Sequence, residues 1–365
     1  MSLYGDLPTP SAIIDMDILQ RNIDGMAGRL KACGIQHRPH IKSHKSVAIA
    51  KLQLAAGAIG ITTAKLAEAE VFAAAGVESI LIAYPLIGAD KLDRFAALHM
   101  KCGMITTVDS IAGAAGLSEV GVRTGKPVEV LIEIDGGLHR GGRQAGEDAL
   151  QFAGAIQELP GIRIAGVMGY FGTIYQNTGE ATFIEATREE AALMLDTAAM
   201  FREAGLPVDV ISTGSSPAAL MCRELDGVTE VRAGNYVFFD ASGVGMGLAS
   251  EEDCALRVIA TVVSTPLPGL ATIDAGTKSL TSDKAHGRDG FGIIVGHPQV
   301  KLAALNEEHG FLQFDPLSEP FQIGDRIEII PNHSCVIPNL NNRVAGVRKG
   351  RWSEWITVNA RGCNT

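Results

Sequence analysis

The sequence predicts an α/β fold, a (β/α)8 TIM-type barrel joined to a second, mainly antiparallel β-domain. Three observations carry this reading. Between residue 15 and about 240, short apolar runs alternate with Ala- and Leu-rich stretches of helical periodicity. Such runs can be placed eight times over this length, which suits a closed barrel better than an open sheet. Past about residue 245 the helical periodicity ends, and short β-rich runs separated by Gly and Pro take over.

The elements follow in order. Asp15 is placed to cap a first helix, along which Met16, Leu19, Ile23, Met26 and Leu30 form one apolar face at steps of three and four. The eight runs cover residues 35–42, 58–64, 79–85, 104–109, 128–135, 164–170, 208–213 and 230–235. Helical stretches such as 64–75, 90–99 and 181–204 separate them, so the strands should pair in parallel under a helical cover. An open doubly wound sheet is the alternative, although no Gly-rich dinucleotide fingerprint follows the first strand. The β-rich runs are 256–263, 271–274, 291–295, 300–304, 326–330 and 355–358. The barrel is accordingly set at residues 15–243, and the β-domain at 1–14 plus 244–365.

Composition narrows the function. A chain of 365 residues suits two domains, and 46% hydrophobic with 20% charged residues is the profile of a soluble globular protein. No apolar run approaches the ~20 residues of a membrane helix. A net charge of -10 argues against nucleic acid, whose phosphates attract clustered Lys and Arg. The N-terminus shows no signal-peptide pattern, and the cysteines at 33, 102, 222, 254, 335 and 363 are scattered without a CxxC. This reads as a reduced, cytoplasmic protein whose cysteines are mostly small core residues.

In a β/α barrel the reacting groups gather at the C-terminal ends of the strands. The first run ends in Arg38-Pro39-His40-Ile41-Lys42-Ser43-His44-Lys45. Lys42 there would be partly desolvated, which lowers the pKa of an amine and frees it as a nucleophile. For a lone Lys, a solvated basic loop is the plainer explanation. The seventh run ends in Thr213-Gly214-Ser215-Ser216 and leads into a helical segment, a pattern that cradles phosphate. The eighth ends near Gly234-Asn235, where Gly permits close backbone approach. Such a turn alone is a common helix cap, and its position opposite a strand-one Lys is what gives it weight. Arg140, among glycines after the fifth run, can reach an anionic oxygen or lie on the surface. Tyr170, ending the sixth, can stack on a flat ring or simply fill core. His333 and Cys335, two apart on an expected strand, would face the same way as a metal-binding pair. By spacing alone, chance explains a His-x-Cys as well.

Together these motifs resemble the alanine-racemase-like pyridoxal-phosphate (PLP) enzymes, and within them the D-threonine aldolase / D-serine dehydratase group, over nearly the whole chain. Arg38–Lys45 is similar to the group's Schiff-base motif, with Lys42 as the PLP lysine. The resemblance implies that Arg140 touches the PLP phenolate oxygen and that Tyr170 stacks on the pyridine ring. It places Thr213, Gly214, Ser215, Gly234 and Asn235 at the phosphate turns. It implies a divalent metal (Zn, Mn or Mg) on His333 and Cys335, and groups Glu308-His309-Gly310 with the β-domain motifs. Arg232 is a candidate partner of the pyridine nitrogen by position. The β-domain would include the first residues of the chain, and a homodimer with the site at its interface is expected.

Lys42 and Gln176 are the catalytic candidates. Gln176 stands where the aldolase branch has a His, and Phe171-Gly172-Thr173 departs from the His-Cys-Gly of the dehydratase branch. The expected activity is a PLP- and metal-dependent lyase acting on a small D-3-hydroxy amino acid. Aldol cleavage to glycine and an aldehyde is favoured by the surroundings Gly169-Tyr170-Phe171-Gly172. A D-serine or D-3-hydroxyaspartate dehydratase is the alternative. A racemase would need a second base, usually a Tyr of the β-domain, and no Tyr follows Tyr236. A non-catalytic PLP carrier is typically a single barrel. A metal-dependent hydrolase would leave Lys42 and the phosphate turns unexplained.

Overall fold

The computed structural model describes Tyr4, residues 7–318 and residues 321–365. The chain forms two compact units. One comprises Gly25–Lys42, Ala50–Gly234 and Cys363–Thr365, and the other the chain up to Asp24, Ser43–Ile49 and Asn235–Gly362. The chain thus passes between units more often than a split of 15–243 from the rest would have it. Lys42 and Gly234 are each the last barrel-unit residue before such a passage.

The order of elements begins with β1 (Ser11–Asp15), which belongs to the second unit. Asp15 then caps the helix Met16–Ala32, its Oδ1 accepting the backbone N–H of Asp17 and of Ile18, both at 3.0 Å. Met16, Leu19, Ile23, Met26 and Leu30 are all buried, as their spacing predicts.

The barrel strands are β2 (Gln36–His37), β3 (Ile61–Thr63), β4 (Ser79–Ile82), β5 (Gly103–Val108), β6 (Val128–Asp135), β7 (Ile162–Tyr170), β8 (Val210–Thr213) and β9 (Glu230–Val231). They pair in parallel in the order β2-β9-β8-β7-β6-β5-β4-β3. His40, just past β2, bridges Thr62 in parallel, which brings the two ends of the sheet together. Thr62 reinforces this closure: its N–H donates to the Pro39 carbonyl at 2.9 Å and its hydroxyl to that of Arg38 at 2.8 Å. Val130, Leu131 and Ile132 are buried on both faces of β6, as expected of a parallel strand with helices outside and side chains inside.

The second unit holds β1 and the strands β10 (Leu256–Leu267), β11 (Leu270–Ile273), β12 (Gly292–Ile294), β13 (Lys301–Leu305), β14 (Gly310–Gln313), β15 (Arg326–Pro331), β16 (Arg343–Arg348) and β17 (Arg351–Thr357). The main order is β13-β14-β11-β10-β1-β16-β17, and β15 pairs with β10 and β12. Only the pairing of β1 with β16 is parallel among the described pairs of this sheet. The runs that become β1, β14 and β16 were not expected as strands. They are short and interrupted or flanked by Gly and Pro, and their partners are far away in sequence, so local pattern is a poor guide to them.

Cys33 and Cys222, 189 residues apart in the chain, are brought side by side, with their Cα atoms 6.3 Å apart. Spacing along a chain says nothing about proximity once a barrel brings the end of the first helix beside the segment after β8. No helix among the described residues is long and apolar enough to cross a membrane.

Candidate active site

Lys42 lies in the 3-10 turn Ile41–Ser43 beyond β2, anchored by the fully buried Ile41. Its backbone N–H donates to His40 Nδ1 at 3.3 Å. The side chain is exposed. The partial desolvation expected of it is therefore not supplied by the chain, because the turn carries Lys42 past the strand end. Its Nζ stands 5.7 Å from the centre of the Tyr170 ring, and the Arg140 guanidinium carbon stands 5.0 Å from the same ring. The barrel thus gathers Lys42, Arg140 and Tyr170 as three neighbours.

Two features aim Arg140. Asp135, at the end of β6, accepts the N–H groups of Gly137 and His139 at 3.0 Å and the His139 ring N–H at 2.6 Å. Although burial pushes the other way, these bonds hold the Asp135 carboxyl below its ordinary range. Gly136 lets the loop pass against β7, since a Cβ there would sit 2.2 Å from the Tyr170 carbonyl oxygen.

The turn after β8 departs from its expected role. The Thr213 hydroxyl and the Gly214 N–H both donate to Glu190 Oε1, at 2.5 and 2.8 Å. These two groups are turned toward a buried carboxylate and are not presented to an anion. The next residue differs: Ser215 Oγ is buried and has no hydrogen-bond partner among the described residues. A buried, unmatched hydroxyl on such a turn is costly unless a ligand completes it, and it fits a phosphate oxygen. Gly234 follows Ala233, whose carbonyl accepts the His40 N–H at 3.4 Å and His37 Nε2–H at 3.2 Å. This brings the eighth strand end beside the Lys42 segment.

Arg232 is buried. Its guanidinium donates to Ser212 Oγ at 2.7 Å and to the Gly169 carbonyl at 2.6 Å. Burial lowers its pKa, with Glu230, Glu190 and Glu133 opposing. Glu230 in turn accepts from Ser212 Oγ at 2.7 Å and pairs with Arg38 at 2.9 Å. Burial raises the pKa of Glu133, which accepts the Thr107 hydroxyl at 3.2 Å. Sequence reasoning missed this polar barrel core. Its sign was available: Glu133, Glu230 and Arg232 are charges set inside apolar strand runs. Gln176 ends the 3-10 turn Gly172–Gln176 after β7 and is exposed.

In the second unit, His333 and Cys335 lie past β15, Cys335 within the 3-10 turn Ser334–Val336. Strand alternation is thus not what brings them together. The turn does so, with His333 Nδ1–H donating to Asp240 Oδ2 at 3.1 Å and Ser334 N–H to the same oxygen at 3.0 Å. The adjacent Cys335 first, and Asp240 behind the ring, push the His333 pKa up to about 11 against the effect of burial. Cys335 Sγ is 3.1 Å from the hydroxyl of Ser43, the residue next to Lys42 in the chain. The side chain of Asn235 is engaged in this network. Its Nδ2 donates to Asp240 at 2.9 Å and its Oδ1 accepts the Ser334 hydroxyl at 2.5 Å. An imidazole whose far nitrogen is oriented by a carboxylate, beside a thiol, is a donor set suited to a divalent metal. No group of three or more metal-binding residues occurs among those described, so the pair would leave coordination positions open.

Residues 14–242 match the family model of the alanine racemase N-terminal domain, and residues 255–347 that of a putative serine dehydratase domain. The chain is 40% identical over 348 residues to a D-threo-3-hydroxyaspartate dehydratase of Delftia sp. strain HT23, covering 90% of this chain and 91% of that protein. It is 32% identical to a D-threonine aldolase of Arthrobacter sp., covering 97% and 93%. The solved structure of the Delftia dehydratase superposes with a TM-score of 0.91 at 36% identity, over 98% of this chain and 99% of that one. His-to-Ala and Cys-to-Ala mutants of a D-threo-3-hydroxyaspartate dehydratase have also been solved, the replaced residues two positions apart and the Cys mutant in a metal-free form. With both of its domains matched, this chain belongs to the alanine-racemase-like family of PLP-dependent enzymes and is a lyase of its D-hydroxy amino acid group.

Proposed function

We propose that this protein is a PLP- and divalent-metal-dependent dehydratase of D-3-hydroxy amino acids, in which water is eliminated and then taken up again as the resulting imino acid hydrolyses, so that the net products are a 2-oxo acid and ammonia. The observation that carries the choice is Gln176. Aldol cleavage needs a group to take the β-hydroxyl proton, and an exposed carboxamide has no pKa suited to that task. The 40% identity to a dehydratase supports the same choice.

Bound PLP supplies an electron sink for the pair left on the substrate α-carbon. Lys42 is the residue that would hold the cofactor through its Nζ, and the same amine would serve as the base for the substrate α-proton. Tyr170, Arg140 and Ser215 would hold the group, with the Tyr170 ring for the pyridine, the Arg140 guanidinium for the phenolate oxygen and Ser215 Oγ for the phosphate. His333 and Cys335 would hold Zn, Mn or Mg, a Lewis acid that eases departure of the β-hydroxyl. Two copies assemble as a homodimer in this reading, which sedimentation would check.

Aldol cleavage is the second reading, favoured by Gly169-Tyr170-Phe171-Gly172 and by the 32% identity to D-threonine aldolase. Product analysis separates the two, using PLP-loaded protein with D-threo-3-hydroxyaspartate, D-serine and D-threonine, with Mn²⁺ or Zn²⁺ and with EDTA. A 2-oxo acid with ammonia, lost with EDTA, supports the dehydratase. Glycine with an aldehyde moves the protein to the aldolase branch.

A further inference from the structure

Glu190 is a buried carboxylate that the proposed chemistry leaves unused. It belongs to the helix Glu180–Glu203 and is 2% exposed. Its Oε1 accepts the Thr213 hydroxyl and the Gly214 N–H, so one oxygen grips two consecutive residues of the turn after β8. Its Oε2 is buried and has no hydrogen-bond partner among the described residues. Leaving a buried carboxylate oxygen unmatched is unfavourable, so its retention calls for a reason.

The turn supplies one. Gly214 adopts φ +84°, and a Cβ there would meet Val231 Cγ1 at 2.6 Å. The path of the turn is therefore narrow, with β9 on one side and Glu190 closing another. The residue that follows is Ser215, whose hydroxyl is the unmatched one. Thr213 and Gly214 serve the carboxylate, and the anion is left to Ser215 and the residues after it.

We propose that Glu190 is a positioning residue for phosphate recognition: it holds Thr213 and Gly214 so that the turn presents Ser215 to a phosphomonoester, acting as a hydrogen-bond acceptor. The proposal rests on the PLP reading of this turn. Burial holds the Glu190 carboxyl above the usual carboxylate range, with the Thr213 and Gly214 bonds acting the other way. Glutamine is a close substitute, since it keeps an accepting oxygen for Thr213 and Gly214.

The test measures the affinity of the full-length apoenzyme for PLP and for pyridoxal, which has the same ring and aldehyde but no phosphate. Glu190→Ala should weaken PLP at least about 10-fold through two lost hydrogen bonds, and pyridoxal by less than about twofold. Glu190→Gln should stay within about threefold of the wild type for both ligands. Thr213→Val, which removes one donor and keeps the shape, should show a smaller loss confined to PLP; it carries the test if Glu190→Ala does not fold. Equal weakening of both ligands would reduce Glu190 to a general structural role and overturn the proposal. So would unchanged PLP affinity in the Ala or Val variant, or a Gln variant as damaged as Ala. A wild type that binds neither ligand would sink the PLP reading and this inference with it. Normal wild-type PLP binding with variants whose losses are the same for PLP and for pyridoxal would sink the inference alone.

Discussion

The amine of Lys42 stands 5.7 Å from the centre of the Tyr170 ring, although one residue follows β2 and the other ends β7, strands that are not neighbours in the barrel. A flat cofactor lying on that ring face would have its aldehyde within reach of an exposed lysine. Lys42→Ala should therefore abolish the visible absorbance of the bound imine and lower turnover by more than about 10³-fold, while the thermal melt of the apoprotein hardly changes. Absorbance after PLP addition checks this, and an unchanged spectrum would remove Lys42 from the cofactor.

Ser215 makes a separable prediction. Replacing its unmatched buried hydroxyl by Ala should cost about 1.5–3 kcal/mol of PLP binding, because a hydrogen bond to a charged oxygen is lost. The apoprotein itself should keep its stability or gain slightly, since a buried polar group without a partner is removed. Equilibrium titration and thermal melts on the same samples distinguish the two effects. A Ser215→Ala protein with wild-type PLP affinity would place the phosphate elsewhere.

His333→Ala and Cys335→Ala should each lose the bound metal and turnover but keep the PLP absorbance, because these side chains lie in the unit that does not contain Lys42. Metal analysis of the dialysed variants, with spectra alongside, tests this. Metal retained at wild-type content in both variants would discard the assignment.

His37 sets a pH dependence of stability. Burial pushes its pKa down to about 4, and the bond to the Ala233 carbonyl only partly compensates. The ordinary value for an unfolded chain is about 6.5. Between these values the unfolded chain binds the proton and the folded one does not, so stability rises with pH from about 4 to about 6.5 and is then flat as far as this residue is concerned. The span amounts to about 3 kcal/mol. His37→Gln, which keeps an N–H donor, should flatten the slope of melting temperature against pH over that range. A slope unchanged in the variant would assign the acid sensitivity to other groups.

Much of this protein was legible in the chain itself. Periodicity located the eight barrel strands and the capped first helix, since a 3.6-residue apolar face and a buried parallel strand are local patterns. The motif around Lys42, the position of Arg140 and Tyr170 at strand ends, and the His333-x-Cys335 pair were likewise local. Tertiary structure decided what depends on partners distant in sequence. It joined β1 to β10 and β16, brought Cys33 to Cys222, and turned Thr213 and Gly214 toward Glu190. It also drew Asn235 and Asp240 behind His333. The physical reason is the same in each case: a sequence specifies which groups are polar, but a buried polar group takes its role from whichever partner satisfies it, and that partner is chosen only when the chain closes around it.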